Sequence, residues 1–516
     1  MPVQEGDPRV AGTGIERHGI ESIPDADRTA TILDFFRIAW GGSNSLATAV
    51  LGAFPIIFGL SFAQALAATV LGVVLGAFIL APMAIFGPIN GTNNAVSSSA
   101  HFGVVGRMVG SFLSLLTAVS FFSISVWSSG DAVMGALQRL VGIGTPDAGF
   151  ALAYGFFAIA VLAVSIWGFR LMLQVNKISV VAATLLFVVG FAAFFPAFDS
   201  RYAGAGYAWG DPRFWPAFIG AALVVLANPI SFGAFLGDWS RYLPRATRAG
   251  TLMAASIGAQ VLSLVPFTFG LVTTSIIARA APRFLDQADY TGGLLSIAPQ
   301  AFVLPLLGLA VLSGMSTGVT SLYGTGLDFS SVFPRLSRPR ATLLIGLIAF
   351  VLIFVGRFGF NLVDAITTFV SLIVVMTTPW MVVMMMGYFL RRGYYLPEAM
   401  QVFNRGQEGG AYWFHAGWNI PGMGAWLLSA ALALLMVNIP GHFVGWLGTL
   451  AGGVDISLLA ALVLPALLYP ALLFIAPEPR GVFGPAGARW VPTVARALAP
   501  VVQRGRATGT AQEATP

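Results

Sequence analysis

Apolar stretches of about 20 residues begin near Thr31, Phe62, Val104, Phe150, Leu171, Phe214, Gly250, Ala301, Ala341, Leu362, Gly422 and Ile456, and a stretch of that length crosses the hydrocarbon of a bilayer as a helix. No water satisfies a peptide group in lipid, so each stretch must close its own backbone hydrogen bonds. An all-α polytopic membrane protein with about twelve transmembrane helices is therefore expected. Charged residues make up only 9% of the chain, against roughly a quarter in a soluble domain.

With the N-terminus placed inside, 21 of the 27 basic residues fall on the inner side, Arg107, Arg241, Arg338 and Arg391 among them. Arg139, Arg201, Arg213, Arg279, Arg283 and Arg357 fall outside. Cytoplasmic loops carry such an excess, which places both termini in the cytoplasm; the plasma (inner) membrane is the expected location. It also accounts for the net charge of +6 without a nucleic-acid partner. The chain has no cysteine, which excludes disulfides, thiolate metal sites and cysteine nucleophiles. The four histidines, His18, His101, His415 and His442, show no metal-ligand spacing. No cofactor or metal beyond a coupling ion is expected, no obligatory protein partner, and no enzyme chemistry.

Two apolar stretches break in their own middles. Between Phe214 and Leu243 the chain reads Ala227-Asn228-Pro229-Ile230-Ser231-Phe232-Gly233, and a proline there frees carbonyls that need another partner. The first stretch carries Gly41-Gly42-Ser43-Asn44-Ser45 about ten residues in, about 15 Å along a helix. Such breaks form substrate and ion sites in secondary transporters. The alternatives are a plain proline kink in the later stretch and a small-residue packing face in the first. Four helices separate the two, which puts them at matching positions in two five-helix halves of inverted topology. The expected organisation is a mobile polar tail 1–30 and a ten-helix core 31–392, with repeats at about 31–196 and 214–392. A cytoplasmic loop 393–421, two additional helices in 422–476 and a mobile basic tail 477–516 drawn to anionic lipid follow.

Chemistry-bearing side chains concentrate on two further helices. The third carries Phe121, Phe122, Ser123, Ser125 and Trp127, aromatic faces that stack on a flat ring or simply pack. On the eighth, Ser313, Ser316, Thr317 and Thr320 share one face; their hydroxyls either ligate a small cation or bond back to their own helix. Asp131 falls near a membrane boundary, Asp238, Asp328 and Asp364 near helix ends, and the polar segment Gly87 to Gly106 reads as a loop.

The segments Phe102-Gly103-Val104-Val105-Gly106 and Asp238-Trp239-Ser240-Arg241-Tyr242 resemble motifs of the nucleobase:cation symporters, purine-cytosine permease branch, and the likeness covers most of the membrane region, roughly Thr31 to Arg392. The resemblance implies a LeuT-type fold of inverted five-helix repeats plus two helices, working by alternating access. Gly41, Asn44, Ser313, Ser316 and Thr317 resemble the family's sodium-binding positions. Phe121, Phe122 and Phe232 look like the aromatics that sandwich the substrate. Relatives read the ring's edge with amides on helices three and eight, where this sequence shows Ala118 and Gly318 or Thr320; Asn228 offers an amide from helix six instead. The candidate substrate set is Ser43, Phe121, Phe122, Ser125, Asn228, Phe232 and Thr320. The expected function is import of a nucleobase or related planar nitrogenous ring, with sodium or a proton as coupling ion and membrane lipid as surroundings. Alternatives are a carrier of allantoin, hydantoin, a thiamine- or pyridoxine-like compound or an amino acid, and a ligand sensor that does not transport.

Overall fold

A computed structural model describes residues 16, 18–144, 146–286, 289–359, 369, 372–439 and 443–503. Arg9, Arg17, Asp364, His442, Arg504, Arg506, the expected start of the tenth helix near Leu362 and the side chain of Arg357 lie outside the described residues. Ten described helices are long and apolar enough to cross a membrane, and the shorter apolar helices Leu46–Ile57 and Ile420–Leu435 complete twelve segments.

The first segment is a pair, Ile32–Ser43 and Leu46–Ile57, followed by Phe62–Leu80, Met108–Val141, Asp147–Trp167 and Phe169–Phe194 as the second to fifth. The sixth is Phe214–Gly233 with the short Leu236–Ser240, and the seventh is Ala249–Val261 with Leu264–Ala280. Gln300–Val332, Arg338–Gly359, a tenth described through Thr378–Leu390, Ile420–Leu435 and Ser457–Ile475 follow as eighth to twelfth. Two short antiparallel ladders depart from the all-α expectation: Gln407–Gly410 with Ala499–Gln503, and Asn438–Ile439 with Phe443–Val444.

Packing follows the inverted halves. The third helix lies along the eighth, the sixth on the second, and the first on the seventh. Lipid gives helices no hydrophobic reason to associate, so small residues that let backbones touch carry these contacts. A Cβ on Gly72 would fall 2.5 Å from the Ala222 carbonyl oxygen, and one on Gly76 would fall 2.4 Å from Pro229 Cγ. In the matching pair, a Cβ on Gly270 would fall 2.0 Å from the Ala49 carbonyl oxygen.

The polar segments correct the sequence reading. Asn90, Asn93, Asn94 and Ser97 to Ser99 are fully buried rather than looped into solvent; Asn94 donates to the Met83 and Gly233 carbonyls at 3.2 and 3.0 Å. The described part of the N-terminal tail is anchored rather than mobile: Ile20 and Ile23 are buried and Arg28 donates to the Pro88 carbonyl at 2.9 Å. Described residues after Pro477 also fold back. Glu478 pairs with the buried Arg391 at 2.5 Å, and Ala499–Gln503 forms a strand.

Candidate functional site

The first helix holds through Ser43 and breaks at Asn44 and Ser45, two to three residues later than the glycines suggested. Ser45, in extended conformation, restarts the chain by accepting the Thr48 amide at 3.3 Å. The break redirects amides that would otherwise reach back four residues: Ser45 N–H bonds Ser43 and Leu46 N–H bonds the Ser313 hydroxyl at 3.3 Å. The Gly41 and Gly42 carbonyls are then met by the eighth helix. Ser316 donates to Gly41 at 2.9 Å and Thr317 to Gly42 at 3.0 Å. All three hydroxyls therefore serve the break. Asn44 turns toward the fifth helix, donating to Thr184 at 2.9 Å and the Val180 carbonyl at 3.2 Å. Ser43 donates to Gln260 of the seventh at 3.2 Å.

The sixth helix runs unbroken through Pro229 and loosens only at Ala234 and Phe235. Phe232 thereby stays helical and faces the first break: a Cβ on Gly42 would fall 3.4 Å from its ring and 3.5 Å from Thr320 Oγ1. The Phe121 ring lies 5.8 Å from the Phe232 ring at an interplanar angle of 32°. Phe369 meets Phe121 edge-on at 5.7 Å, and Trp239 backs Phe232 at 5.5 Å. Stacking a flat ring between two others needs roughly 7 Å, two layers of carbon contact, so the two phenyl rings must part slightly to admit one. Asn228, one turn before Phe232, is fully buried, and neither atom of its side-chain amide has a protein partner among the described residues.

The remaining expected residues sit less decisively. Thr320 bonds back to the Ser316 and Thr317 carbonyls, both at 3.0 Å. Ser125 is buried where the third helix meets Gly314 of the eighth. Phe122 is buried, turned about 100° round the helix from Phe121. Asp131, expected near a membrane boundary, lies ten residues before the end of the third helix at Val141, about 15 Å along it, and accepts the Tyr154 hydroxyl. Asp238 and Asp328 stand near helix ends as expected and are buried there: Asp328 accepts from Asn93 at 3.3 Å, and Asp238 Oδ2 lies 3.0 Å from where a Cβ on Gly324 would stand. Sequence reading missed Asn176, Gln260, Phe369 and Trp239. A lone asparagine or glutamine inside an apolar span was the available signal for the first two.

A cavity of about 490 Å³ opens further along the sixth helix, between Phe58, Gly220, Leu223, Val224 and Val374. Val224 precedes Phe232 by two turns, about 12 Å. The cavity and the ring pair are thus separate features of one helix.

A family model described as permease for cytosine/purines, uracil, thiamine, allantoin matches residues 22–458. A Bacillus subtilis protein assigned as the purine-cytosine permease YxlA is 27% identical over 471 residues, covering 89% of this chain and 96% of its own. Among solved structures, Mhp1, a nucleobase-cation-symport-1 family transporter in a closed conformation with bromovinylhydantoin bound, superposes with a TM-score of 0.69 at 17% identity, over 89% of this chain and 95% of Mhp1. A Na⁺-coupled sialic acid symporter superposes at 0.54 and 14% identity, over 87% of this chain and 91% of that one. These two likenesses carry the fold, which is of the LeuT type. The chain is a multi-pass membrane transporter and belongs to the family of permeases for cytosine/purines, uracil, thiamine and allantoin.

Proposed function

We propose that the chain imports a nucleobase or a closely related planar nitrogenous ring, of the purine or cytosine class, by symport with a monovalent cation. One observation carries the reading. The Gly41 and Gly42 carbonyls and the Ser316 and Thr317 hydroxyls converge at a helix break that Phe232 faces directly. A cation held by those oxygens fastens the first helix to the eighth and fixes Gly42 against the ring site. The substrate stacks between Phe121 and Phe232, and Asn228, Ser43, Ser125 and Thr320 supply polar groups for its edge. Closure, then release from the opposite face, follows as the helices carrying the two breaks rock against the third and eighth. The bias toward closure equals the difference in ligand affinity between the two states. The arginine-rich face is cytoplasmic in this reading, and the membrane is the plasma (inner) membrane. Hydroxyls and carbonyls without a carboxylate favour sodium over a proton.

Thermal stability of the detergent-purified protein tests this against a panel of nucleobases, hydantoins and vitamin rings, each in sodium and in choline. A ligand of the folded state raises apparent stability with its concentration over Kd. Stabilisation by a purine or cytosine that requires sodium is the expected result. Stabilisation indifferent to sodium would overturn the coupling, and silence of every nucleobase would overturn the substrate class.

A further inference from the structure

We infer that Asn176, on the fifth helix, is a ligand of the same cation, its amide oxygen completing a set with the Gly41 and Gly42 carbonyls and the Ser316 and Thr317 hydroxyls. This rests on the reading above that the helix break takes a cation.

Proton counting carries the argument. Ser316 Oγ lies 2.9 Å from the Gly41 carbonyl oxygen and 2.7 Å from Asn176 Oδ1, yet a serine hydroxyl has one proton to give. Thr317 Oγ1 likewise faces the Gly41 carbonyl at 3.5 Å and the Gly42 carbonyl at 3.0 Å. Five oxygens thus converge with two protons among them. Ser316, Thr317 and Asn176 are all buried, where a surplus of lone pairs facing one another is costly. A cation at their centre turns the surplus into coordination.

The orientation of the amide is set by its other end. Asn176 Nδ2 donates to the Met172 carbonyl of its own helix at 2.9 Å, and the flipped amide would point oxygen at oxygen there. Oδ1 must therefore face the break. Glycine at 41 is what lets it arrive, since a Cβ at that position would fall 1.9 Å from Asn176 Oδ1. Every donor in the set is a neutral oxygen. Dedicated sites for calcium recruit carboxylates, so the charge balance fits one alkali cation. The consequence is mechanical: the cation ties the first helix to the fifth as well as to the eighth.

The test is a sodium chloride titration at constant ionic strength, balanced with choline chloride, read as thermal stability of the full-length protein in detergent. Asn176→Leu, of similar volume without the oxygen, should raise the half-saturating sodium concentration by about tenfold or more, the scale on which lost support weakens metal sites. Asn176→Asp, which keeps an oxygen in place, should restore the response. A purely structural asparagine would lower stability in choline and leave half-saturation where it was, and that outcome overturns the inference. Should Asn176→Leu fail to fold, Asn176→Ala withdraws the oxygen in the same way and is read identically. A wild-type protein that shows no sodium response overturns the cation site itself, whereas a wild-type response unaltered in the variants removes only Asn176 from it.

Discussion

Glu16 accepts a hydrogen bond from Arg241 at 2.9 Å, and the same carboxylate takes the Phe169 amide at 2.8 Å and the Tyr323 hydroxyl at 3.0 Å. Arg338 lies 3.6 Å away. One side chain of the N-terminal segment therefore joins the end of the sixth helix to the start of the fifth, the eighth and the ninth. Removing one partner of a buried ion pair costs about 3 to 5 kcal/mol, because the other charge is left uncompensated. Glu16→Ala should accordingly release the segment, quickening amide exchange over residues 19–28 by roughly 100-fold or more. Unchanged exchange there would show that the anchor lies elsewhere.

The same carboxylate sets an acid limit. Burial alone would raise its pKa, but Arg338, Arg241, the Tyr242 hydroxyl and the Phe169 amide together hold it below the ordinary 4.5. A depressed carboxylate contributes fully above its unfolded value and loses that contribution as pH falls through the folded one. Protection of residues 19–28, corrected for intrinsic exchange, should stay level from pH 8 to pH 5 and fall only below about 4.5. Loss beginning near neutrality would contradict the pairing.

His101 acts in a separate window. Its Nδ1 accepts from Arg391 at 2.6 Å and its Nε2 meets the Tyr395 hydroxyl at 3.0 Å, so the ring is held neutral. Burial first, and Arg391 second, depress its pKa well below the ordinary 6.5. The unfolded chain takes up this proton below pH 6.5 and the folded chain does not, so stability falls as the solution is acidified, by up to about 1.4 kcal/mol per pH unit. Denaturation midpoints between pH 7 and pH 5 should show this slope in the wild type and a flatter one in His101→Gln.

Thr317→Ala removes the hydroxyl that meets the Gly42 carbonyl at 3.0 Å. Half-saturating sodium in the thermal titration should rise while ring binding at saturating sodium survives. An unaltered sodium dependence would take the eighth helix out of the cation site.

Phe232→Ala removes one face of the pair with Phe121. Ring affinity should weaken by about 1 to 3 kcal/mol, the scale of base–aromatic stacking, measured by equilibrium binding of radiolabelled ligand. Wild-type affinity in this variant would mean that the substrate does not stack there.

Hydropathy alone places twelve segments because the need to satisfy backbone groups in lipid is met within each segment. The hydroxyl row on the eighth helix is equally local, since helical periodicity fixes which residues share a face. The breaks were legible as regions but not as residues. Pro229 stays inside a helix, packed against Gly76 of the second helix, so the loosening falls at Ala234 and Phe235. Asp238 and Asp328 do stand near helix ends, but their burial was not legible because distance along the chain does not record the polar segment Asn90 to Ser99, which supplies Asn93 to Asp328.

What the sequence by itself determined is the class of molecule, its segments and the faces that carry oxygen and aromatic groups, all properties of neighbours within a few turns. Tertiary structure decided which carbonyl meets which hydroxyl, that Asn176 reaches Gly41 across 135 residues of chain, with its Oδ1 2.7 Å from Ser316, and that Glu16 is an anchor rather than part of a free tail. Those pairings depend on helices approaching closely enough to touch, and that approach is set by the shapes of both partners at once.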